Sequence, residues 1–163
     1  MVTTRPTLRR LGAGLFTGAA ATLTLTLSPV TATAAEPTPA ATSAPAPTAA
    51  AQAAVDDARA QVGKAYSYGA EGPDAYDCSG LTQHAYRAAG IELPRRSADQ
   101  ANVGTPVARA DLQPGDLVFY YSPISHVGIY VGDGQIVHAA NESTGVEYET
   151  VDMEGYNFAR RIA

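Results

Sequence analysis

The chain has 163 residues with eleven basic and sixteen acidic side chains, a formal net charge of −5 at neutral pH. Residues 1–35 carry Arg5, Arg9 and Arg10 and no acid, so residues 36–163 hold eight bases against sixteen acids, a net −8. That balance excludes the basic footprint nucleic-acid binding requires, and it argues against adhesion to an anionic polymer by charge alone.

From the N-terminus, the basic opening precedes a run from Leu11 to Leu27 rich in Ala, Leu, Gly and Thr, then a small-residue site at Ala32-Thr33-Ala34. These are the parts of a secretory signal, so residues 1–35 are expected to be removed on export. The run is too interrupted by threonine for a lasting membrane span, and no membrane insertion is expected after cleavage. Residues 36–51 are Pro, Ala and Thr with one charge and read as a flexible linker. The folded unit is expected at 52–163.

Within it, Gln52 to Val62 has the spacing of a helix with Val55, Ala58 and Val62 on one face and Gly63 as its stop. Lys64 to Tyr76 is rich in Gly and Tyr without periodicity, hence loop. Asp77 or Cys78 opens a second helix to Ala89, with Leu81, Ala85, Ala88 and Ala89 as its apolar stripe and Gly90 as C-cap. Ser97 to Asn102 suits a short helical turn. The pattern then changes to strands at Leu117–Tyr121, His126–Val131, Gln135–Ala139, Val146–Thr150 and Tyr156–Ile162, punctuated by Pro114-Gly115 and Gly132-Asp133-Gly134. Helices followed by an antiparallel meander of about five strands predict an α+β domain.

The chain contains one cysteine. An exported protein cannot close an internal disulfide with a single thiol, which raises the prior that Cys78 does chemistry. In the first turn of a helix, unpaired N–H groups and the helix dipole favour a thiolate and could also bind an oxyanion. Of the three histidines, His84 lies six residues further along the same helix and points about 120° away, so it is assigned to the surface or to helix packing. His126 and His138 fall on the two strands of one hairpin and suit a base and its orienting partner.

Side chains alternate along strands, so the two histidines share a face only if paired residue numbers sum to an even value. A two-residue Asp133-Gly134 turn gives an odd sum. A three-residue Gly132–Gly134 loop pairs Val131 with Gln135 and Gly128 with His138. It puts both histidines on one face and Val127, Ile129, Val131, Val137 and Ala139 on the other. The second register is the prediction, with Gly128 leaving room for substrate.

The stretches YSYGAEGPDAYDCSGL (66–81), LPRRSADQ (93–100), PGDLVFY (114–120) and HVGIYVGDGQIVHA (126–139) resemble the NlpC-like cysteine peptidases of bacterial cell walls. The resemblance covers nearly all of the chain from Gln52 onward. It implies a papain-like α+β fold and hydrolysis of peptidoglycan stem peptides, usually between γ-D-glutamate and a diamino acid. By position it implies Cys78 as nucleophile, His126 as general base, His138 as orienting residue and Tyr66 as an oxyanion donor. Asp77, Ser79 and Arg95 fall where the family shapes its substrate groove. Ala70 replaces a common second glycine and Tyr68 a frequent tryptophan, departures that bear on subsite detail. No cofactor is expected, and no metal, because His138 is better used behind His126 than beside zinc. The expected product is a secreted or wall-associated monomer. The alternatives are a silent wall-peptide binder and a thioester-forming amidase or acyltransferase of the same fold.

Overall fold

The computed structural model describes residues 46–163. The expected export signal, and the expected linker as far as residue 45, lie outside the described residues.

Helix α1 spans Ala49–Ala60, three residues earlier than the periodicity predicts. Thr48 caps it, its hydroxyl accepting from Ala51 N at 3.1 Å. The end of the expected linker is therefore helical: alanine, which made that stretch look featureless, is also the strongest helix former. The helix stops before Val62, which is exposed rather than packed; Ala51, Ala54, Val55 and Ala58 form the buried face.

The loop that follows contains two two-residue strands, β1 (Ala65–Tyr66) and β2 (Ala75–Tyr76), paired in parallel. Neither is long enough to show a period. Their pairing closes the loop and delivers Tyr66 beside the start of α2 (Cys78–Ala88). Asp77 caps α2, accepting from Gly80 N at 2.7 Å. A Cβ at Gly80 would overlap the Ala70 carbonyl, so glycine lets the loop lie directly on the helix. Ala88, expected in the stripe, is exposed, and Tyr86 is buried instead with its hydroxyl donating to the Gly115 carbonyl. His84 does pack helices together: its Nε2 is 3.6 Å from Asp57 on α1, and its ring stands edge-on to Tyr76.

After the short helix α3 (Ser97–Gln100) come β3 (Thr105–Val107), β4 (Leu117–Tyr120), β5 (His126–Gly132), β6 (Gln135–Asn141), β7 (Gly145–Thr150) and β8 (Tyr156–Arg161). They form one six-stranded sheet ordered β3-β8-β4-β5-β6-β7, with every pair antiparallel. The simple meander is thus corrected. It holds through β7, after which β8 crosses to the far side of β4 and is flanked by β3, an edge strand carrying Pro106.

Alternation along the strands builds two cores. Leu117, Phe119, Val127, Ile129, Val137 and Ala139 face α1 and α2, meeting Val55, Ala58, Leu81 and Ala85. Val118, Tyr120, Tyr130, Ile136, Val151 and Ala159 pack on the opposite face. Leu81 is fully buried where helix meets sheet, and truncating it to alanine would cost about 2–5 kcal/mol.

The β5–β6 hairpin combines both registers weighed for it. Gly132 pairs with Gln135 across a two-residue Asp133-Gly134 turn, both with positive φ, 52° and 72°. A bulge at Val131 then shifts the ladder, so that Ile129 pairs with Val137 and Tyr130 with Ile136. The predicted Val131–Gln135 pair does not form, yet the body of the hairpin keeps the even sum that puts the two histidines on one face.

Candidate active site

A cavity of about 530 Å³ opens at the N-terminus of α2. Cys78 lies in its wall, with Tyr66, Asp77, Ser79 and Arg95 around it and Ile124 and Ser125 opposite. Cys78 is the first residue of α2, half-buried, and its thiol points at the Ser125 carbonyl oxygen 4.0 Å away. The sulfur also meets the backbone N–H groups of Val127 and Ser79. It therefore touches the chain on either side of His126, the first residue of β5.

His126 and His138 stand behind that strand start as a pair. His126 Nε2 and His138 Nδ1 are 2.7 Å apart, with the rings nearly perpendicular at 83°. The Tyr120 ring packs on His126 at 5.9 Å between centroids. Gly128 sits between them, but the room it leaves is taken by protein. A Cβ there would lie 2.9 Å from Ile136 Cδ1 and 3.3 Å from His138 Cβ. The expectation that Gly128 makes space for substrate is corrected: it lets His138 approach β5.

Asp77 and Arg95, foreseen as groove residues, are bound to one another. Asp77 Oδ1 accepts from Gly80 N at 2.7 Å and Arg95 Nη1 at 3.0 Å, while Oδ2 accepts from Gly69 N at 2.9 Å and Arg95 Nη2 at 2.6 Å. Arg95 also donates to Ser79 Oγ at 2.9 Å, and its Nε meets Glu71 Oε1 at 2.7 Å. Burial pushes the Asp77 carboxyl up, but the Arg95 guanidinium and the Gly80 and Gly69 N–H groups outweigh it and hold it below its ordinary value. The network ties the Gly69–Glu71 loop, the helix start and the bend at Arg95 into one frame around Cys78.

Electrostatics act on the thiol and the imidazole in opposite directions. Burial and, next, the Asp77 carboxylate push the Cys78 thiol up, against the favourable N–H contacts. Burial, then the neighbouring His138, pushes His126 down to about 4. Both shifts favour the neutral thiol and the neutral imidazole over a preformed ion pair. Desolvation and the adjacent carboxylate act on the same sulfur and oppose the N–H groups of Val127 and Ser79. Tyr66 is also raised, by burial and then by its closeness to Cys78, so it remains a protonated donor.

Sequence reasoning passed over Glu71, Arg96, Ser97 and Ser125. Ser125 immediately precedes the first hairpin histidine, and Arg96-Ser97 follow Arg95 inside a motif already singled out. Only the pairing of Glu71 with Arg95, across more than twenty positions, left no local trace.

The chain is similar to known proteins in sequence and in fold. The description of the NlpC/P60 family matches residues 63–160. A probable endopeptidase of Corynebacterium glutamicum is 50% identical over 111 residues, covering 68% of this chain and 53% of the relative. A probable endopeptidase of Mycobacterium tuberculosis is 46% identical over 103 residues, covering 63% of this chain and 27% of its own. The chain thus spans 27% of one of these relatives and 53% of the other. Among solved structures, the peptidoglycan hydrolase RipB of M. tuberculosis superposes with a TM-score of 0.64 at 34% identity, covering 69% of this chain and 64% of that one. The P60 domain of an M. avium subspecies paratuberculosis antigen gives 0.65 at 31% identity, covering 69% and 94%. The papain-like α+β arrangement expected from sequence is the one found, with six strands in the main sheet rather than five.

Proposed function

The chain belongs to the NlpC/P60 family, and from that premise we propose that it is a secreted cysteine endopeptidase hydrolysing peptidoglycan stem peptides between γ-D-glutamate and a diamino acid. Residues 1–35 direct export, a short spacer follows, and the described domain carries the activity as a monomer at or near the wall. The observation that carries this reading is the sole cysteine at a helix start, touching the backbone on both sides of a histidine that is itself held by a second histidine. Relatives named as probable endopeptidases, and a solved relative named as a peptidoglycan hydrolase, support the same chemistry.

The residues divide the work as follows. The scissile carbonyl lies over Cys78. His126 takes the thiol proton as the carbon–sulfur bond forms, so the thiolate is generated in the attack rather than stored beforehand. The Cys78 N–H, which meets no acceptor among the described residues, and the Tyr66 hydroxyl receive the oxyanion. His126 then gives its proton to the leaving amine. Water, deprotonated by His126, hydrolyses the thioester and frees the thiol. His138 orients His126 through the 2.7 Å contact. Asp77, Ser79 and Arg95 shape the groove as a frame, their polar atoms already engaged with one another.

Digestion of purified wall peptides with mass analysis of the fragments tests the reaction and the bond together. Fragments ending in γ-D-glutamate, with the diamino acid at the new amino terminus, are expected. Cleavage at another bond would overturn the assigned specificity, and no cleavage would overturn the hydrolase reading.

A further inference from the structure

Arg95 and Arg96 are consecutive and both line the cavity beside Cys78, but their charges are in different states. Arg95 is spent: its guanidinium lies between Glu71 and Asp77 and also reaches Ser79. Arg96 is exposed, and among the described residues its side chain makes no salt bridge and no hydrogen bond. It precedes α3 without capping it through its side chain, so local structure gives the guanidinium no other task. Residues 36–163 carry a net −8, a background that disfavours anionic ligands unless a local cation receives them.

From this we infer that Arg96 holds a free carboxylate of the substrate peptide, and that the site therefore discriminates acidic stem peptides from amidated ones. This rests on the wall-peptide reading above. A planar guanidinium donates two parallel N–H bonds to a carboxylate, whereas a carboxamide offers one acceptor and no charge. The proposed substrate supplies carboxylates close to the scissile bond, and Arg96 lines the same cavity as Cys78. A γ-linked glutamyl residue keeps its α-carboxylate free, a short carbon chain from the scissile carbonyl, and the diamino acid beyond the bond carries its own. Arg96 is thus a specificity residue, acting on binding and leaving the reacting atoms to Cys78 and His126.

The test is calorimetric binding to the full chain carrying Cys78→Ala, with and without Arg96→Gln. Three synthetic peptides of L-alanine, γ-D-glutamate and a diamino acid serve as probes: the parent, one amidated on the glutamyl carboxylate, and one amidated on the diamino acid carboxylate. The parent is expected to bind about ten-fold more weakly once Arg96 is replaced, the size of a charge-assisted hydrogen bond. One of the two amides, and only one, should bind weakly to both proteins alike, which identifies the carboxylate held. Added salt should weaken the parent's binding to Cys78→Ala more than to the double variant. Equal loss on all three peptides, no loss on the parent, or no binding at all would overturn the inference. Cleavage is measured separately on the unsubstituted chain, so a peptide bound through Arg96 yet never cut would refute the hydrolase reading while leaving the carboxylate site intact.

Discussion

His126 Nε2 and His138 Nδ1 are 2.7 Å apart, and this contact fixes which end of His126 can act as a base. One proton occupies the contact. If His126 donates it, His138 Nδ1 accepts, and the other nitrogen of His126 keeps a lone pair for the thiol proton. His138 then carries its own N–H on Nε2, a buried atom with no partner among the described residues. The reverse tautomer would tie up the His126 lone pair against His138. The proposed reaction requires the first arrangement.

Replacing His138 tests that contact. His138→Ala should lower kcat roughly 100-fold, the scale of a misplaced catalytic group, with little change in KM. His138→Gln, whose amide oxygen can accept the same N–H, should recover part of the loss. Because the charge of His138 helps lower His126, the acid limb of the rate profile should also move to higher pH in both variants. Steady-state kinetics across pH separates this from simple loss of packing.

The titration of His126 has consequences for both activity and stability. As a base it must be neutral, so kcat/KM should fall on the acid side near pH 4 rather than near 6.5, and hold on the alkaline side until the raised Cys78 thiol ionises. For stability, the folded-state value is depressed below the unfolded one. His126 therefore contributes stability that is fully present above about pH 6.5 and is lost as pH falls through about 4, by on the order of 3 kcal/mol. Denaturant melts between pH 7 and 4 should show the decline; a flat profile would contradict the buried, neutral imidazole.

Asp77 is expected to matter for the frame more than for substrate contact. Asp77→Ala removes the α2 cap and strands part of the Arg95 guanidinium, which should cost about 2–4 kcal/mol in chemical denaturation. Asp77→Asn keeps the cap acceptor and should cost less. A change in KM without any loss of stability would point instead to direct recognition.

The readable features were those written in nearby residues. The Asp77-Cys78-Ser79-Gly80 start of α2, the alternation along β5 and β6, and the shared face of the histidines follow from local spacing and turn chemistry. What escaped depended on contacts distant along the chain or on solvent exclusion. The bulge at Val131 combines two turn geometries that sequence reasoning treats as exclusive. The passage of β8 to β4 joins segments far apart along the chain, with three strands between them in sequence. Gly128 serves His138 rather than a ligand because Ile136 fills the adjoining space. The upward push on the Cys78 thiol arises from burial and then from Asp77, a residue whose capping role alone would have suggested only a helix start.

Every step of the proposed reaction passes through the sulfur of Cys78. Rates of wall-peptide cleavage by Cys78→Ala, measured beside its unfolding curve, test that dependence most directly. Cleavage should fall by roughly 10⁴-fold or more while the unfolding midpoint stays close to that of the unsubstituted chain. A folded Cys78→Ala variant that still cuts the peptide at a comparable rate would contradict it.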